Sequence, residues 1–284
     1  RTMYFTSRRQ NTKGAGLNPY DNLFYEDIYV SHYDGEDWSR AENDNEAVER
    51  LNTEGFDAVN AISADGTLLF VTINTSEMDK VKPETKSSDL CVARLSKKDR
   101  WNSPKQLSGN DINSNYFDAS ITITRDLSRA YFITERKDKN AQGSIDIWYS
   151  NSNSGRSFDT PKNLGPEINT EFEENTCYIS PDGRYLFFSS KGHEGMGGYD
   201  IYVSENKGDY WTPPALLDYP INTTDDDLHF QWYPELKKAY YSTIPKENGK
   251  GDRDIVEIDL TNFDFEKYLE KITKEAEERA LNEK

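Results

Sequence analysis

The chain is built from a repeat of about 57 residues that runs along almost its whole length. The clearest copy reads Ser-Pro-Asp-Gly from Ser180, Tyr-Asp-Ile-Tyr from Tyr199, Trp-Thr-Pro-Pro from Trp211 and Ile-Asn-Thr from Ile221. Two markers keep step through the copies. They are Asp before Ile or Leu, at Asp27, Asp89, Asp146, Asp200 and Asp254, and Asn before Thr or Ser, at Asn52, Asn113, Asn169 and Asn222. A fixed period of this length indicates one supersecondary unit repeated many times.

Each copy contains four short strand segments, which we name A to D. Segment A ends at a tight turn, which is Asp65-Gly66 or Asp182-Gly183 in the best copies, and segment B follows that turn. Asp-Gly supplies the positive φ that a two-residue hairpin needs. Segment C opens with the marker Asp, and segment D is expected to begin at Trp38, Trp101, Phe158 or Trp211. Proline just inside segment D predicts that it is the outer edge of its sheet.

An all-strand repeat of this kind predicts an all-β fold, a five-bladed β-propeller of four-stranded antiparallel blades. We expect the propeller to span residues 1–260, with blade 1 lacking segment A and blade 5 lacking segment D. An upstream segment would then supply the missing strands and close the ring. Residues 261–284 are predicted to form a C-terminal amphipathic helix, because apolar residues from Phe265 onward follow helical spacing. We expect this helix to dock its apolar face.

The charge balance excludes some partners. With 51 acidic and 34 basic residues, the chain has a formal net charge of −17, which disfavours nucleic acid and anionic lipid surfaces. No apolar run is long enough to cross a membrane, so direct membrane insertion is not predicted. Cys91 and Cys177 occupy non-equivalent positions in the repeat, so a disulfide between them is not predicted.

Four carboxylates share one register at the head of segment A and are the candidate binding residues. They are Asp57, Asp118, Glu174 and Asp227. In a propeller they would surround one mouth of the central channel, where mutual repulsion would favour a cation or a basic partner segment. The alternative is that each carboxylate accepts hydrogen bonds from local backbone N–H groups. The Asp that heads each segment C is expected to cap a turn.

Enzymatic signatures are weak. Residues 152–161 resemble a degraded Asp-box of sialidase propellers, but nothing marks the arginine cluster or the tyrosine–glutamate pair that a sialidase needs. No His-Glu-x-x-His or Gly-x-Ser-x-Gly motif is present. We therefore predict no catalytic residues, no metal site and no cofactor.

The repeat also resembles a known family. Ser180-Pro-Asp-Gly-Arg-Tyr-Leu-Phe-Phe, Gly197-Gly-Tyr-Asp-Ile-Tyr-Val-Ser, Trp211-Thr-Pro-Pro and Ile221-Asn-Thr are similar to TolB-type, WD-repeat-like propellers, and more narrowly to those of Bacteroidota envelope proteins. In that group the propeller is often followed by an OmpA-like domain, and some members belong to type IX secretion and gliding-motility machinery. The resemblance covers residues 1–260 and implies a periplasmic, outer-membrane-associated scaffold.

The sequence therefore predicts a non-enzymatic protein-interaction scaffold in a bacterial cell envelope. The resemblance implies other envelope proteins as partners, and peptidoglycan through domains outside this chain. Two alternatives stay open, a carbohydrate- or peptidoglycan-binding module and a degenerate sialidase-like glycosidase.

Overall fold

The structure is a computed structural model, and it describes residues 1–14, 16–18, 21–74, 88–244 and 253–282. The described residues divide into two compact units. The first comprises residues 1–121 with 151–161, and the second comprises residues 122–150 with 162–284. Each unit is described by itself below.

The chain consists of short strands and one long helix. In chain order the strands are β1 (Thr2–Arg8), β2 (Glu26–His32), β3 (Asp57–Ile62), β4 (Leu68–Ile73), β5 (Asp89–Arg94), β6 (Lys105–Gln106), β7 (Ser108–Gly109), β8 (Asp118–Ile123), β9 (Arg129–Thr134), β10 (Asp146–Asn151), β11 (Ser157–Phe158), β12 (Lys162–Asn163), β13 (Glu174–Ile179), β14 (Tyr185–Ser190), β15 (Asp200–Glu205), β16 (Ala215–Leu216), β17 (Leu228–Tyr233), β18 (Lys238–Thr243) and β19 (Asp254–Asp259). A 3₁₀ turn occupies Pro234–Leu236, and the helix α1 spans Phe265–Asn282.

The strands pair as antiparallel sheets that follow the predicted order A-B-C-D. The four-stranded sheets are β3-β4-β5-β6, β8-β9-β10-β12 and β13-β14-β15-β16. The last repeat forms the three-stranded sheet β17-β18-β19, and β1 pairs only with β2. A short parallel pair joins β7 and β11.

The prediction of five blades is wrong. Within the described residues, four sheets have three or more strands in the blade pattern, because the first repeat contributes only the two-stranded sheet β1-β2. In place of a D strand, that repeat has a single bridge between Val30 and Glu42. The predicted all-β propeller class with one C-terminal helix is confirmed at this coarser level.

The D strands begin later than the sequence pattern predicts. β6, β12 and β16 start after the prolines, whereas Trp101 and Trp211 form isolated bridges with Leu95 and Asn206, just beyond strand C. The aromatic residue therefore closes the turn between C and D, and the strand follows it. Trp101 is almost completely buried, so it also belongs to the core.

The A–B turns show how the repeat tolerates divergence. Gly66 and Gly183 adopt φ of +69° and +75°, as the Asp-Gly motif predicts. In the copies without glycine, Leu127 and Lys237 take the same role with φ of +60° and +50°. The turn geometry is kept although the residue best suited to it has been lost.

Two of the B strands lie entirely in the core. Every residue of β4 and β14 is buried, and the rings of Phe187 and Phe230 lie 4.9 Å apart between centroids. Segments that are buried on both faces read as continuous apolar runs, as Leu-Leu-Phe-Val does from Leu68.

The helix docks its apolar face, as its spacing predicts. Phe265, Leu269, Ile272 and Ala276 are buried in the core of the second unit, and the ring of Phe265 lies 5.4 Å from that of Trp232. Asp264 accepts a hydrogen bond from the N–H of Lys267 at 3.0 Å and so caps the first turn. The predicted helical segment runs to residue 284, of which residues 283 and 284 lie outside the described part.

Arg184 ties the helix to the sheet. Its guanidinium contacts Glu205 at 2.9 Å, Glu266 at 3.3 Å and Glu270 at 3.0 Å. Among the described helices, none is long and apolar enough to cross a membrane. Cys91 and Cys177 are both buried free thiols.

Candidate functional site

The asparagine marker clamps the C strand of its own repeat. Asn169 accepts a hydrogen bond from the N–H of Ile147 at 2.8 Å and donates to its carbonyl at 2.9 Å. The same pair of bonds joins Asn52 to Ile28, Asn113 to Leu90 and Asn222 to Ile201. The side-chain amide thus pairs with the strand as a neighbouring backbone would. The two sequence markers keep step because each asparagine bonds the residue that follows the marker Asp in strand C.

The residue after each asparagine starts a turn that the segment-A acid closes. The N–H of Thr170 donates to Glu174 at 3.1 Å, and its hydroxyl donates to the same carboxylate at 2.8 Å. That hydroxyl also accepts the N–H of Phe172 at 3.1 Å. We call the four equivalent segments the display turns. They are residues 53–57, 114–118, 170–174 and 223–227.

The other three display turns repeat the closing bond. The backbone N–H groups of Thr53, Ser114 and Thr223 donate to Asp57, Asp118 and Asp227 at 2.5, 2.5 and 2.6 Å. The N–H groups of Gly55, Tyr116 and Asp225 likewise donate to the hydroxyl oxygen two residues before them, at 3.1 Å each. Four pentapeptides that agree only in a first Thr or Ser and a last Asp or Glu therefore share these backbone hydrogen bonds.

The four predicted binding carboxylates are all inside the protein. Asp57, Asp118, Glu174 and Asp227 each have 0% exposure. Burial raises the pKa of Asp57 to about 7 and that of Glu174 to about 7, and it raises the pKa of Asp227 as well. The bonding matches the alternative that local N–H groups satisfy these acids. A binding role for them stays a prediction.

The middle residue of each display turn carries the variation. It is Gly55, Tyr116, Phe172 or Asp225, and the ring of Phe172 is 51% exposed while that of Tyr116 is 40% exposed. The sequence pattern could have identified these residues, since each stands two positions before the acid that opens segment A. The acids are the more regular feature of the repeat, and they conceal the varied residue beside them.

The Asp at the head of strand C caps the loop before it. Asp146 accepts the N–H groups of Gln142 and Gly143 at 2.7 and 2.9 Å, and Asp200 accepts those of Met196 and Gly197 at 2.8 and 2.9 Å. The predicted turn-capping role is confirmed for these two repeats.

A polar cluster in the second unit brings together residues that the sequence did not mark. The hydroxyl of Tyr199 donates to Glu173 at 2.5 Å, and the ammonium of Lys191 contacts the same carboxylate oxygen at 2.8 Å. Asn175 donates to the Tyr199 hydroxyl at 3.1 Å. The hydrogen bond from Lys191 is the main cause of the lowered pKa of Glu173, whereas burial and Glu173 raise the pKa of Tyr199.

The cluster continues through a second ion pair. The N–H of Tyr199 donates to Asp226 at 3.0 Å, and Arg253 contacts the other oxygen of that carboxylate at 2.9 Å. Two carboxylates and two basic side chains are thus paired in this cluster.

The histidines do not form a metal site. His32, His193 and His229 have hydrogen-bond partners in Thr2, the carbonyl of Ile168 and Ser242. In the part of the chain that the structure describes, no group of three or more His, Cys, Asp or Glu side chains could hold a metal ion.

Comparison with known proteins gives a likeness in fold. No family model matches the chain, and no curated protein sequence matches it. The chain is similar to the crystal structure of TolB from Acinetobacter baumannii, with 12% identity, a TM-score of 0.48, and coverage of 92% of this chain and 51% of that chain. The chain thus spans about half the length of that TolB structure.

Two glycosidase structures are also similar. The α-L-arabinofuranosidase from Lactobacillus brevis has 14% identity, a TM-score of 0.51, and coverage of 90% of this chain and 86% of that chain. The GH43 endo-arabinanase from Bacillus licheniformis has 13% identity, a TM-score of 0.51, and coverage of 87% and 95%. Likeness at this identity shows a shared fold and no shared chemistry. With the repeated four-stranded sheets, it identifies the chain as a β-propeller protein.

Proposed function

We propose that this chain is a non-enzymatic protein-interaction scaffold that contacts its partner through the display turns. The observation that carries the proposal is the combination of one fixed backbone frame with a variable residue at its centre. The N–H groups of Gly55, Tyr116, Phe172 and Asp225 make the same hydrogen bond in the four turns, and all of these residues except the buried Gly55 are at least partly exposed. Surface residues on a rigid scaffold are the usual place for recognition.

Two of the displayed residues suit protein contacts. Phe172 and Tyr116 are exposed aromatic residues in turns that each contain three hydrogen bonds, of which one is donated by the N–H of the aromatic residue and two join the first residue of the turn to its last. Large aromatic side chains supply much apolar area for little lost conformational entropy, and they are enriched in binding interfaces. Holding the turn before the partner arrives lowers the entropic cost of binding.

The proposal is tested by photo-crosslinking in cells of the source organism. A benzophenone amino acid replaces Phe172 or Tyr116 in separate variants, and a third variant carries it at Tyr219, which is 75% exposed and lies outside the display turns. We expect position 172 and position 116 each to give a specific protein adduct that position 219 does not give. Equal labelling at all three positions would show non-specific contact and contradict the proposal.

We extend the proposal to location, with the periplasmic side of the outer membrane as the site of action. The similarity of the repeat from Ser180 to Thr223 to envelope propellers supports this. The partner would then be another envelope protein, within a secretion or motility assembly. Fractionation of cells, with the chain detected by antibody, checks it, and recovery with the cytoplasmic fraction would contradict it.

The alternative glycosidase function has one structural feature in its favour, which is the contact between Tyr199 and Glu173. In the sialidase mechanism a tyrosine attacks the sugar while a glutamate accepts its proton. Here Tyr199 is only 7% exposed, and its raised pKa keeps it a neutral phenol, which is a poor nucleophile. The lowered pKa of Glu173, which is caused mainly by the hydrogen bond from Lys191, makes it a weak base that is poorly suited to accept the proton of Tyr199.

A direct assay separates the two functions. The purified chain is incubated with arabinan, with a sialylated oligosaccharide and with solubilised peptidoglycan, and new reducing ends and bound sugar are measured. We expect neither hydrolysis nor retention of the glycan. Hydrolysis that disappears in Glu173→Gln would overturn the scaffold proposal in favour of a glycosidase. Retention of a glycan that disappears in Phe172→Ser would favour a carbohydrate-binding module.

A further inference from the structure

Three buried oxygen atoms of the second unit have no hydrogen-bond partner among the described residues. They are Oδ1 of Asp200, Oδ1 of Asp227 and Oγ1 of Thr243, in residues that are 2%, 0% and 6% exposed. A buried polar atom without a partner costs free energy, and a buried carboxylate oxygen costs more than a hydroxyl. We call these three residues the oxygen cluster.

Asp227 connects the members of the oxygen cluster. Its N–H donates to the carbonyl of Tyr199, the residue before Asp200, at 2.8 Å. Burial raises the pKa of Asp227, the hydroxyl of Thr243 lowers it, and the carboxylate of Asp200 raises it. Both groups therefore lie near the Asp227 carboxylate, although the Thr243 hydroxyl lacks the geometry of a hydrogen bond to it.

A missing amide distinguishes Asp200 from its counterparts. In three other repeats a side-chain amide donates to the Asp that heads strand C. The donors and acceptors are Asn43 and Asp27, Gln106 and Asp89, and Asn163 and Asp146, at 2.8, 2.6 and 2.8 Å. Gln106 and Asn163 lie opposite the third residue of strand C, and Leu216 holds that position opposite Tyr202. Since leucine has no donor, Asp200 lacks this bond.

The acid that opens segment A shows the same contrast. Glu174 accepts hydrogen bonds from the hydroxyls of Thr170 and Ser190 at 2.8 Å each. Thr243 holds the position of Ser190, because each pairs with the Asp that heads the next strand C. Positions that are satisfied in one repeat thus lack partners in the next.

The first repeat shows how a positive charge compensates such a pair of acids. There Oδ1 of Asp27 also has no partner among the described residues. The ammonium of Lys13 donates to the carbonyl of Asn52 at 2.7 Å. Burial raises the pKa of Asp27 and that of Asp57, whereas this ammonium lowers both, so it lies near the two carboxylates.

The second unit has no such charge at the equivalent place. Asp200 and Asp227 correspond to Asp27 and Asp57 in the repeat, and in the described part of the chain neither forms an ion pair with a lysine or arginine. Arg253 contacts Asp226 instead, at 2.9 Å. A cation from solution can supply the charge that Lys13 supplies in the first repeat.

The chemistry of the ligands selects the ion. Two carboxylate oxygens and one hydroxyl oxygen are hard ligands, which suit Ca²⁺ and Mg²⁺ better than transition metals. A divalent ion also neutralises both carboxylates. Mg²⁺ retains several waters in strict octahedral geometry, whereas Ca²⁺ accepts irregular sets of protein oxygens. A buried cluster therefore favours Ca²⁺.

Backbone carbonyl groups close to the oxygen cluster can complete the coordination. The N–H of Gly197 binds Asp200, and a Cβ at Gly197 would lie 2.3 Å from the carbonyl oxygen of Asp225 and 2.8 Å from that of Thr223. Carbonyl oxygens are common ligands of calcium in proteins. The display turn 223–227 thus brings further oxygen atoms near the two acids.

We propose that the oxygen cluster binds one calcium ion through Asp200, Asp227 and Thr243. Because Asp227 also accepts the N–H of Thr223 at 2.6 Å, the ion holds the acid that closes the display turn 223–227. The inference goes beyond the proposed scaffold function and does not depend on it.

Calcium titration of the 284-residue chain tests the proposal. The chain is first treated with a chelator, and the heat of calcium binding is measured in potassium chloride at physiological ionic strength, which suppresses weak binding to the acidic surface. We expect one saturable equivalent of calcium per chain. Calcium should also raise the melting temperature and slow amide exchange at Thr223.

Asp200→Asn and Asp146→Asn are matched variants, because they make the same change at equivalent positions and only Asp200 belongs to the oxygen cluster. Asp200→Asn should weaken calcium binding at least about tenfold, and Asp146→Asn should leave it unchanged. Without calcium, Asp200→Asn should be at least as stable as the unmodified chain, since it removes one of two like charges. Thr243→Val removes a neutral ligand and should weaken binding by less.

Three results would overturn the inference. They are the absence of saturable binding, equal calcium affinity of the Asp200→Asn and Asp146→Asn variants, and tighter binding when Lys246→Gln and Lys250→Gln are combined. Those two lysines lie outside the described residues, and tighter binding without them would show that an ammonium of the chain serves the acids instead. The photo-crosslinking result at position 172 is independent of all three, so the scaffold proposal stands or fails separately.

Discussion

Asn222 forms three hydrogen bonds with its side-chain amide, and two of them go to the backbone of one residue, Ile201. It accepts the N–H of Ile201 at 2.7 Å, donates to its carbonyl at 2.8 Å, and donates to the carbonyl of Leu217 at 2.8 Å. The side-chain amide thus makes the two hydrogen bonds to Ile201 that the backbone of a neighbouring strand would otherwise make. The stability of the repeat should therefore depend on this amide.

Replacing Asn222 with alanine should lower the free energy of unfolding by about 2–4 kcal/mol, because buried backbone groups lose their partners. Asn222→Asp should be at least as damaging, since a carboxylate cannot donate to either carbonyl. Urea denaturation followed by circular dichroism measures both. Asn153, an exposed residue, provides the control, and its alanine variant should change stability by less than about 0.5 kcal/mol. Equal stability of the Asn222 and Asn153 variants would contradict a stabilising role for the hydrogen bonds of the Asn222 side chain.

Stability should rise as the pH falls from neutral toward 5. The pKa of Asp57 and that of Glu174 are raised to about 7 in the folded chain, so the folded state binds protons that the unfolded state has released. Their stabilising contribution is complete below the unfolded pKa and is lost as the pH rises through about 7. Urea midpoints measured from pH 5 to 8 test this.

The matched variants are Glu174→Gln and Asp34→Asn. Glu174→Gln should reduce the slope of the unfolding free energy by up to about 1.4 kcal/mol per pH unit in this window. The pKa of Asp34 is lowered by backbone hydrogen bonds, so its effect is confined to more acidic pH and Asp34→Asn should leave the slope unchanged. A slope that is the same in all three proteins would be evidence against buried, protonated acids.

The helix should contribute to the stability of the second unit. Leu269 is 0% exposed and packs in the core, so Leu269→Ala should cost about 2–4 kcal/mol. Leu281 lies on the same helix and is 72% exposed, so Leu281→Ala should cost almost nothing. Thermal denaturation compares them. If both variants match the unmodified chain, the helix does not dock in solution.

The thiol of Cys91 should resist alkylation while the chain is folded. It is 3% exposed, and burial together with Asp89 and Asp57 raises its pKa to about 12, so almost no thiolate forms at neutral pH. Mass spectrometry after iodoacetamide treatment should find Cys91 unlabelled in buffer and labelled in urea. Asn153→Cys places a thiol at an exposed position and should be labelled in both. Labelling of Cys91 in buffer would show that the sheet opens.

The repeat predicted the A, B and C strands closely, because their alternation and turn residues are local properties. Glu174–Ile179, for example, begins at the residue that the register assigns to segment A. The D strands were predicted to begin too early. Trp101 lies in the core and also closes the turn between strands C and D, and its aromatic character does not show whether a strand begins there. The predicted number of blades depended on the first and last repeats, each of which has a neighbouring copy on one side only for comparison.

The contacts that define the candidate site could not be predicted in the same way. Asn169 and Ile147 stand 22 residues apart, and their amide pairing depends on the approach of two segments in space. Tyr199 and Glu173 are similar, at 26 residues apart, and neither follows the repeat. The shared register of the four acids was visible, but whether a carboxylate faces a channel or its own turn depends on rotamers and on the path of the backbone.

The display turns separate the residues that keep the chain folded from the residues that a partner would meet. Changing Phe172 to another side chain leaves the hydrogen bonds from Thr170 to Glu174 intact, because those use only the backbone and the flanking side chains. Single substitutions at Tyr116, Phe172 and Asp225 can therefore alter surface chemistry at little cost in folding, whereas Gly55 is buried and a Cβ there would lie 2.7 Å from the carbonyl oxygen of Asn74. A protein of this design can acquire a new partner during evolution through a handful of point mutations, without first having to recover lost stability.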